Sequence, residues 1–407
     1  MLSLDHNATT QPSPEVVAAM VEMLTEFWHN PSSVHRAGQA ARQRVELARQ
    51  SVANLIRAKP RDVVFTSSGT EALDLAIRGF FAAAKGAKTF ITSKVEHAAI
   101  RDIAEDWERR GAAGDTSVPR VTWLPVTREG VVDVAAFPNG YPHAPRGDQT
   151  PRGAWGYPAL VCVQWANNET GAIQPIAAIS KLCRASGATL LVDGTQWVGK
   201  EPTDVSVVDG VANPFDLLAF APHKFHGPKG VGVLWIRQGT AIRPQMLGTQ
   251  ELSRRGGTEN TPAIVGAGVA AEQAIEWLSN PQLRRDCASL RDMFEQRVLE
   301  LVQGSVINSP RDNAKRLWNT TNIAFPHLEA EALLLLLSEK GIAASAGAAC
   351  SSGSLEPSPV LLAMGIEEHL AHGSLRFSTC KDTTKDELNH TANVIAECVK
   401  QLTKSWK

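Results

Sequence analysis

The 407-residue sequence predicts an α/β fold in which a large domain, built on a mostly parallel sheet covered by helices, is followed by a smaller α+β domain. Three observations carry this. From about residue 60, short β-rich runs alternate with helical runs, the pattern of a parallel sheet with helices on both faces. Two of the apolar runs lead into a residue with chemical potential, Asp193 after 190–192 and Lys224 after 216–220. After about residue 262 the alternation gives way to two long helical stretches and then separated strands.

Taken in order, residues 1–20 read as an extended segment that packs back near the functional site, because a stretch ending in Pro12 and Pro14 is not a helix start in isolation. Strands are expected at 63–65, 88–91, 121–124, 160–165, 190–192, 217–220 and 231–236. Helices at 71–84, 98–110 and 176–185 occupy intervals between them. The stretch 136–158 breaks the order with Pro138, Pro142, Pro145, Pro151 and Pro158 among Gly140, Gly147, Gly153 and Gly156, and reads as an irregular surface excursion. Further on come helices at 262–278 and 282–302, strands near 320–325 and 341–345, and a terminal helix from Thr384. The implied division is an N-terminal segment (1–20), a large domain (21–261) and a smaller one (262–407).

With 43% hydrophobic and 20% charged residues, the chain can bury a large core and divides more naturally into two domains than one. A formal net charge of −1 and no block of Lys or Arg leave no electrostatic footprint for nucleic acid or an anionic membrane. The six cysteines are scattered, without a C-x-x-C pair or histidines at metal-finger spacing, so neither a disulfide framework nor a structural zinc is indicated. The longest apolar run, 333–337, is too short to span a bilayer, and patterned sequence begins by Leu4. A reduced, cytoplasmic setting is expected.

Asp193 and Lys224 are informative as a pair. A lysine at one strand end can form a Schiff base, and an aspartate at another can keep a pyridinium nitrogen protonated, which is what pyridoxal phosphate chemistry requires. Ser67-Ser68-Gly69-Thr70-Glu71 follows a strand and opens a helix, so its N–H groups and the Thr70 hydroxyl suit a phosphate. The same residues also read as an ordinary N-cap with Ser68 or Thr70 capping. His97, at another strand-to-helix turn, can stack on a ring face and shuttle protons, or serve structure alone. Asn167-Asn168-Glu169 ends a further strand with amides suited to a carboxylate or ring hydroxyl, the alternative being a buried turn.

These motifs resemble the cysteine desulfurases of the iron-sulfur-assembly type, in the class V aminotransferase group of fold-type I pyridoxal phosphate enzymes. The resemblance runs almost end to end, through Leu4 to Thr10, Asn30-Pro31-Ser32-Ser33-Val34-His35, Phe65 to Glu71, Val95-Glu96-His97, Ala166 to Gly171, Asp193 to Gln196, His223-Lys224, Arg255 to Asn260, and Ala349-Cys350-Ser351-Ser352-Gly353. It implies Lys224 as the Schiff-base lysine, Asp193 as the pyridinium partner and His97 as the stacking acid/base. Gln196 and Asn168 would bond the phenolic oxygen and nearby substrate, while Gly69, Thr70 and His223 would hold the phosphate. Thr258 matches a threonine that the neighbouring subunit contributes to that phosphate site, so a homodimer is implied. Arg376 matches the arginine of the substrate α-carboxylate, which suits its planar fork.

Cys350 separates desulfuration from transamination. It sits in a run of small residues, 345–354, expected to form an accessible loop from which a thiolate can reach the substrate sulfur. Cys162, Cys183, Cys287, Cys380 and Cys398 read as packing residues within periodic apolar elements. The implied reaction converts L-cysteine to L-alanine with a persulfide left on Cys350, for delivery to an iron-sulfur scaffold or another sulfur acceptor. A selenocysteine lyase shares nearly all these motifs, and a catalytically silent sulfur carrier is the alternative from another class. Two departures from the family pattern stand out. Ala221 occupies the position, two before the motif histidine, where the family usually has a serine that bonds the phosphate. The excursion at 136–158 replaces a compact helix and turn.

Overall fold

The computed structural model describes residues 1–85, 88–137, 159–347 and 356–404. Its elements in chain order are β1 (Leu2–Ser3), α1 (Pro14–Thr25), α2 (Arg36–Leu55), β2 (Val63–Thr66), α3 (Gly69–Ala83), β3 (Thr89–Ser93), α4 (Ala98–Ala112), β4 (Arg120–Leu124), β5 (Ala159–Gln164), α5 (Ile176–Ser186) and β6 (Thr189–Asp193). There follow β7 (Val207–Val208), β8 (Val211–Ala212), β9 (Leu217–Phe220), β10 (Gly232–Ile236), α6 (Gln250–Ser253), α7 (Thr261–Leu278), α8 (Pro281–Leu301), β11 (Val306–Ile307) and β12 (Thr320–Ala324). The last are α9 (Ala330–Glu339), β13 (Ile342–Ala343), α10 (Pro359–Ala363), α11 (Glu368–His372), β14 (Ser374–Ser378) and α12 (Lys385–Lys404).

The central sheet has the order β2-β10-β9-β6-β5-β3-β4. Pairing is parallel from β9 through β6, β5 and β3 to β4, and β10 alone runs against its neighbours. The 221–231 connection between β9 and β10 is too short for a crossover helix, so β10 must return antiparallel. Successive strand residues bury themselves on opposite faces. Val161, Val163, Leu190, Val192, Leu218 and Phe220 join α2, α5 and α7 in one core. Leu160, Cys162, Leu191, Leu217 and Ala219 join α3 and α4 in the other. Strands apolar on both faces require helices on both, and each fully buried aliphatic side chain contributes about 1.5–3 kcal/mol. A separate cluster gathers α8, α9 and α12 around the antiparallel sheet β11-β12-β14, with Leu4 from the N-terminal segment at its centre.

The N-terminal expectation needs correction. Helix α1 starts at Pro14, inside the segment read as extended, with the Ser13 side chain accepting the Val16 N–H at 3.2 Å. Proline is tolerated at a first helical position, where its missing N–H is not needed. Helix α7 packs on α1 and α2, and Ile264, Ala267 and Ala270 belong to the sheet's core rather than to the smaller cluster. Of the proline- and glycine-rich excursion, 138–158 lies outside the described residues, and Phe137 at its near end is buried. Among the described residues, no helix is long and apolar enough to cross a membrane.

Candidate active site

The carboxyl ends of β2, β3, β5, β6 and β9 open on one cleft of about 240 Å³. Ligands of open α/β sheets bind at such strand ends. Gly69, Thr70, His97, Asn168, Asp193, Gln196, His223, Lys224 and Arg376, all singled out from the sequence, line it. Two further expectations fall elsewhere. Thr258 is exposed and is not among the residues lining the cleft of its own chain, and Cys350 lies outside the described residues.

At the start of α3 the capping and anion-binding readings combine. Ser68 caps the helix, its Oγ accepting the Glu71 N–H at 3.1 Å. The amides of Gly69 and Thr70 have no protein acceptor among the described residues, as expected for the first turn of a helix. They present paired donors and the positive end of the helix dipole to an anion. Close approach is built in, since a Cβ on Gly232 of β10 would stand 2.1 Å from the Ser68 carbonyl oxygen. Arg255, three residues before Thr258, donates from Nε to Glu71 Oε1 at 2.8 Å and so ties that turn to the same helix.

His97 is the N-cap of α4, and its Nδ1 accepts the Ala99 N–H at 3.1 Å. The neutral ring therefore carries its proton on Nε2. Burial lowers its pKa, with Lys224 adding to the fall and Asp193 opposing it. The turn before it is fixed by Gln164 Nε2 and Asn167 Nδ2, which both donate to the Val95 carbonyl, at 2.7 and 3.0 Å. Asp193, the last residue of β6, is buried and accepts the Thr195 N–H at 2.9 Å. Lys224 follows β9 on a single 3-10 turn. Its Nζ donates to the carbonyls of Asn7 and Ala8 at 2.7 and 2.8 Å. His223 beside it is pushed down to about 4 by burial, then by Lys224, Lys229 and Lys200, so it is neutral near pH 7.

Arg376 on β14 is 1% exposed. Its Nη1 donates to the Asn168 carbonyl at 3.1 Å and its Nη2 to Asp5 at 2.6 Å, while Nε has no partner among the described residues. The fork assigned to a carboxylate is thus already half engaged by the N-terminal segment. Asn168 Oδ1 is a second buried polar atom without a partner among the described residues. Such atoms are rare unless a ligand or water completes them.

Sequence reasoning assigned no role to Asn7, although it lies in the Leu4 to Thr10 motif. In the structure it is a hub. Its main-chain oxygen accepts from Lys224 Nζ and from Gln196 Nε2 at 3.0 Å, and its Oδ1 accepts from Lys200 Nζ at 2.8 Å and Asn319 Nδ2 at 3.0 Å. Its Nδ2 donates to Thr320 Oγ1 and to the Asn168 carbonyl. Lys200, also unassigned, is buried with its Nζ on Gln196 Oε1 at 2.6 Å, and burial drives its pKa well down. No local signal marks Lys200, whose role depends on partners remote in sequence. The five packing cysteines divide: Cys162, Cys183 and Cys398 are buried, but Cys287 and Cys380 are half-buried, and Cys380 sits in the turn after β14 rather than in an apolar element. Among the described residues, no group of three or more His, Cys, Asp and Glu could hold a metal ion.

Residues 2–390 match the family model described as Aminotransferase class-V. The chain is similar to a cysteine desulfurase of Trichormus azollae, 40% identical over 403 residues that cover 99% of this chain and 94% of that one. It is 40% identical to cysteine desulfurase NifS of Azotobacter vinelandii over 401 residues, 98% of this chain and 92% of that one. Among solved structures it resembles a NifS-like protein with a TM-score of 0.83 and 31% identity, covering 98% of this chain and 99% of the other. It also resembles SspA in complex with cysteine, with a TM-score of 0.73 and 27% identity over 93% and 98% of the two chains. The sheet with helices on both faces is the fold-type I arrangement of such NifS-like proteins. Matched over nearly its whole length in sequence and in fold, the chain belongs to the class-V aminotransferase family.

Proposed function

We propose that this protein is a cysteine desulfurase that binds pyridoxal 5′-phosphate, converts L-cysteine to L-alanine and leaves the sulfur on Cys350 as a persulfide. The observation that carries this reading is the convergence of Lys224, Asp193, His97 and Arg376 on one cleft beside the unpartnered Gly69 and Thr70 amides. It is found in a chain about 40% identical to proteins named cysteine desulfurase. The residues fit the cofactor, since the helix terminus offers donors to a phosphate, Asp193 offers a carboxylate to a ring nitrogen, and Asn168 Oδ1 and Arg376 Nε lack partners among the described residues. When bound, the cofactor supplies an electron sink for the pair left at the substrate Cα as its proton departs.

Each side chain then has a defined task. Lys224 would hold the cofactor through Nζ and take the Cα proton there. Asp193 would keep the ring nitrogen protonated, and His97 would serve at the ring as acid/base through Nε2. Gly69, Thr70 and neutral His223 would hold the phosphate. Gln196 and Asn168 would bond the ring oxygen and substrate, and Arg376 would bond the α-carboxylate. The Cys350 thiolate attacks the substrate sulfur, forming an S–S bond as the substrate C–S bond breaks. Protons returned to the three-carbon fragment complete alanine, so L-cysteine and an enzyme thiol give alanine and an enzyme persulfide with no external oxidant.

We also propose that residues 21–261 form the cofactor-binding unit, with 1–20 strapped across it and 262–407 as the smaller unit, α7 serving as the piece of the latter docked on the sheet's core. A homodimer is part of the reading. Thr258 is exposed and outside its own cleft, near the exposed Leu247 and Leu252, which suits a threonine donated to a partner's phosphate. The persulfide would pass to a sulfur-acceptor protein such as an iron-sulfur scaffold.

The test is alanine and sulfide release from L-cysteine with a thiol reductant, for the wild type and for Cys350→Ala with cofactor confirmed bound in both. Equal alanine and sulfide from the wild type, abolished in the variant, is expected. Unimpaired turnover by Cys350→Ala would sink the assignment. Comparing turnover on L-cysteine and L-selenocysteine separates desulfurase from selenocysteine lyase.

A further inference from the structure

We propose that the Thr195 hydroxyl is a phosphate ligand in this cleft and replaces the hydroxyl that Ala221 lacks. This rests on the cofactor reading above. Thr195 stands two residues beyond Asp193, and its N–H is held by the Asp193 carboxylate at 2.9 Å, which fixes its position relative to the end of β6. Its side chain lines the cleft together with Gly69, Thr70, Ala221 and His223. A Cβ placed on Gly69 would stand 3.3 Å from the Ala221 methyl and 3.6 Å from Thr195 Oγ1. The methyl and the hydroxyl therefore flank the same first residue of α3, whose N–H and that of Thr70 have no protein acceptor among the described residues.

Two of the other hydroxyls nearby are committed as donors. Ser67 Oγ donates to the Glu71 carboxylate and Thr66 Oγ1 donates to the Ser68 carbonyl, whereas Ser68 Oγ is pinned as acceptor of the Glu71 N–H and keeps its own proton. Thr195 Oγ1 makes no hydrogen bond to any described residue, so with Thr70 and Ser68 it is one of the cleft hydroxyls left to donate to an anion, and it is the one beside the Ala221 methyl. A hydroxyl with a polar cleft before it and no internal acceptor gains a charge-assisted bond when a phosphate arrives. An alanine at 221 is then tolerated, because a serine hydroxyl there would duplicate a donor already present.

The experiment is an equilibrium titration of cofactor-free enzyme, read by fluorescence quenching and by dialysis, with pyridoxal 5′-phosphate and separately with pyridoxal. Thr195→Val is expected to weaken binding of pyridoxal 5′-phosphate by about ten- to a hundredfold, Thr195→Ser to stay near wild type, and Ala221→Ser to restore most of the loss in the Thr195→Val background. Pyridoxal, without a phosphate, should bind wild type and Thr195→Val alike. An unchanged affinity in Thr195→Val overturns the proposal. So does an equal loss with pyridoxal, which would assign Thr195 to ring packing, or an Ala221→Ser gain of the same size in both backgrounds. If Thr195→Val does not fold by circular dichroism, Thr195→Ala serves with the same outcomes. A wild type that takes up no pyridoxal 5′-phosphate removes the cofactor reading itself, a result separate from any difference among the variants.

Discussion

Glu96, between Val95 and His97, is 1% exposed and has no cationic partner among the described residues. Burial pushes its carboxyl up to about 8, with Asp193 adding to the rise, while the Ser93 hydroxyl and the Gln164 N–H, at 2.6 Å each, hold it down. The native state thus keeps a proton that the unfolded chain gives up near its ordinary value of 4.5. Between those values the unfolded state binds fewer protons, so Glu96 makes stability fall as pH rises toward about 8. His223 acts oppositely but lower, because its folded value of about 4 lies below the ordinary 6.5, so its contribution is complete above that range. The window free of His223 is about pH 6.5 to 8, and Glu201, pushed by burial up to about 7, titrates there in both proteins and cancels in the comparison. Glu96→Gln can keep both hydrogen bonds without titrating, and its urea-unfolding free energy should decline across that window by about 2 kcal/mol less than the wild type's. Parallel declines in the two proteins would show that Glu96 is ionised in the native state. The histidine and lysine motifs were legible as residues because imidazole and amine chemistry at strand ends has few uses. Asn7 and Lys200 were not, because their partners are Gln196, Asn319 and Thr320, brought to them only by folding.

Among elements, the contact between β10 and the β2–α3 turn is the tightest restraint on the anion site. Alanine at Gly232 would place its Cβ 2.1 Å from the Ser68 oxygen and 2.6 Å from Thr66 Oγ1, and neither strand can give way without disturbing the sheet. Gly232→Ala should cost about 1–3 kcal/mol in urea unfolding by overpacking and should weaken pyridoxal 5′-phosphate binding by displacing the Gly69 and Thr70 amides. Wild-type affinity in a folded Gly232→Ala protein would show that the turn moves independently of β10. The central strands were readable to within about two residues because both faces are apolar and the short runs are bounded by turn and helix signals. Pro14 misled, since proline bars a helix interior but suits its first position. Helix α2, twenty residues of mixed polar and small side chains, was not anticipated, because its apolar face is defined by α7, with which it packs.

Across the whole molecule, the segment leading to Thr258 is held by a buried ion pair. Arg49 on α2 bonds Glu251 twice, at 2.7 and 2.8 Å, and Glu251, Leu252 and Ser253 all take left-handed backbone angles, with φ of 49°, 56° and 61°. Three such residues in a row are unfavourable for L-amino acids, so the turn depends on that pair, and it leaves Leu247 and Leu252 exposed. Glu251→Ala leaves the buried Arg49 cation with Glu46 alone as an acidic partner, at 3.2 Å, and strips the Phe65 N–H of its acceptor, and should cost about 3 kcal/mol. It should also shift the proposed dimer toward monomer in sedimentation velocity, whereas a dimer of undiminished strength would place the interface elsewhere. The sequence by itself determined the α/β class, the strand-end positions of Asp193, His97 and Lys224, and the departure at Ala221, because periodicity and residue chemistry are local properties. Only the tertiary structure decided that nine of the expected residues share one cleft, that Asn7 ties the N-terminal segment to Lys224, that Arg376 is already half engaged by Asp5, and that Thr195 faces the same helix terminus as Ala221. Those relations join residues hundreds of positions apart, and their distances exist only once the sheet, its covering helices and the smaller antiparallel sheet have packed.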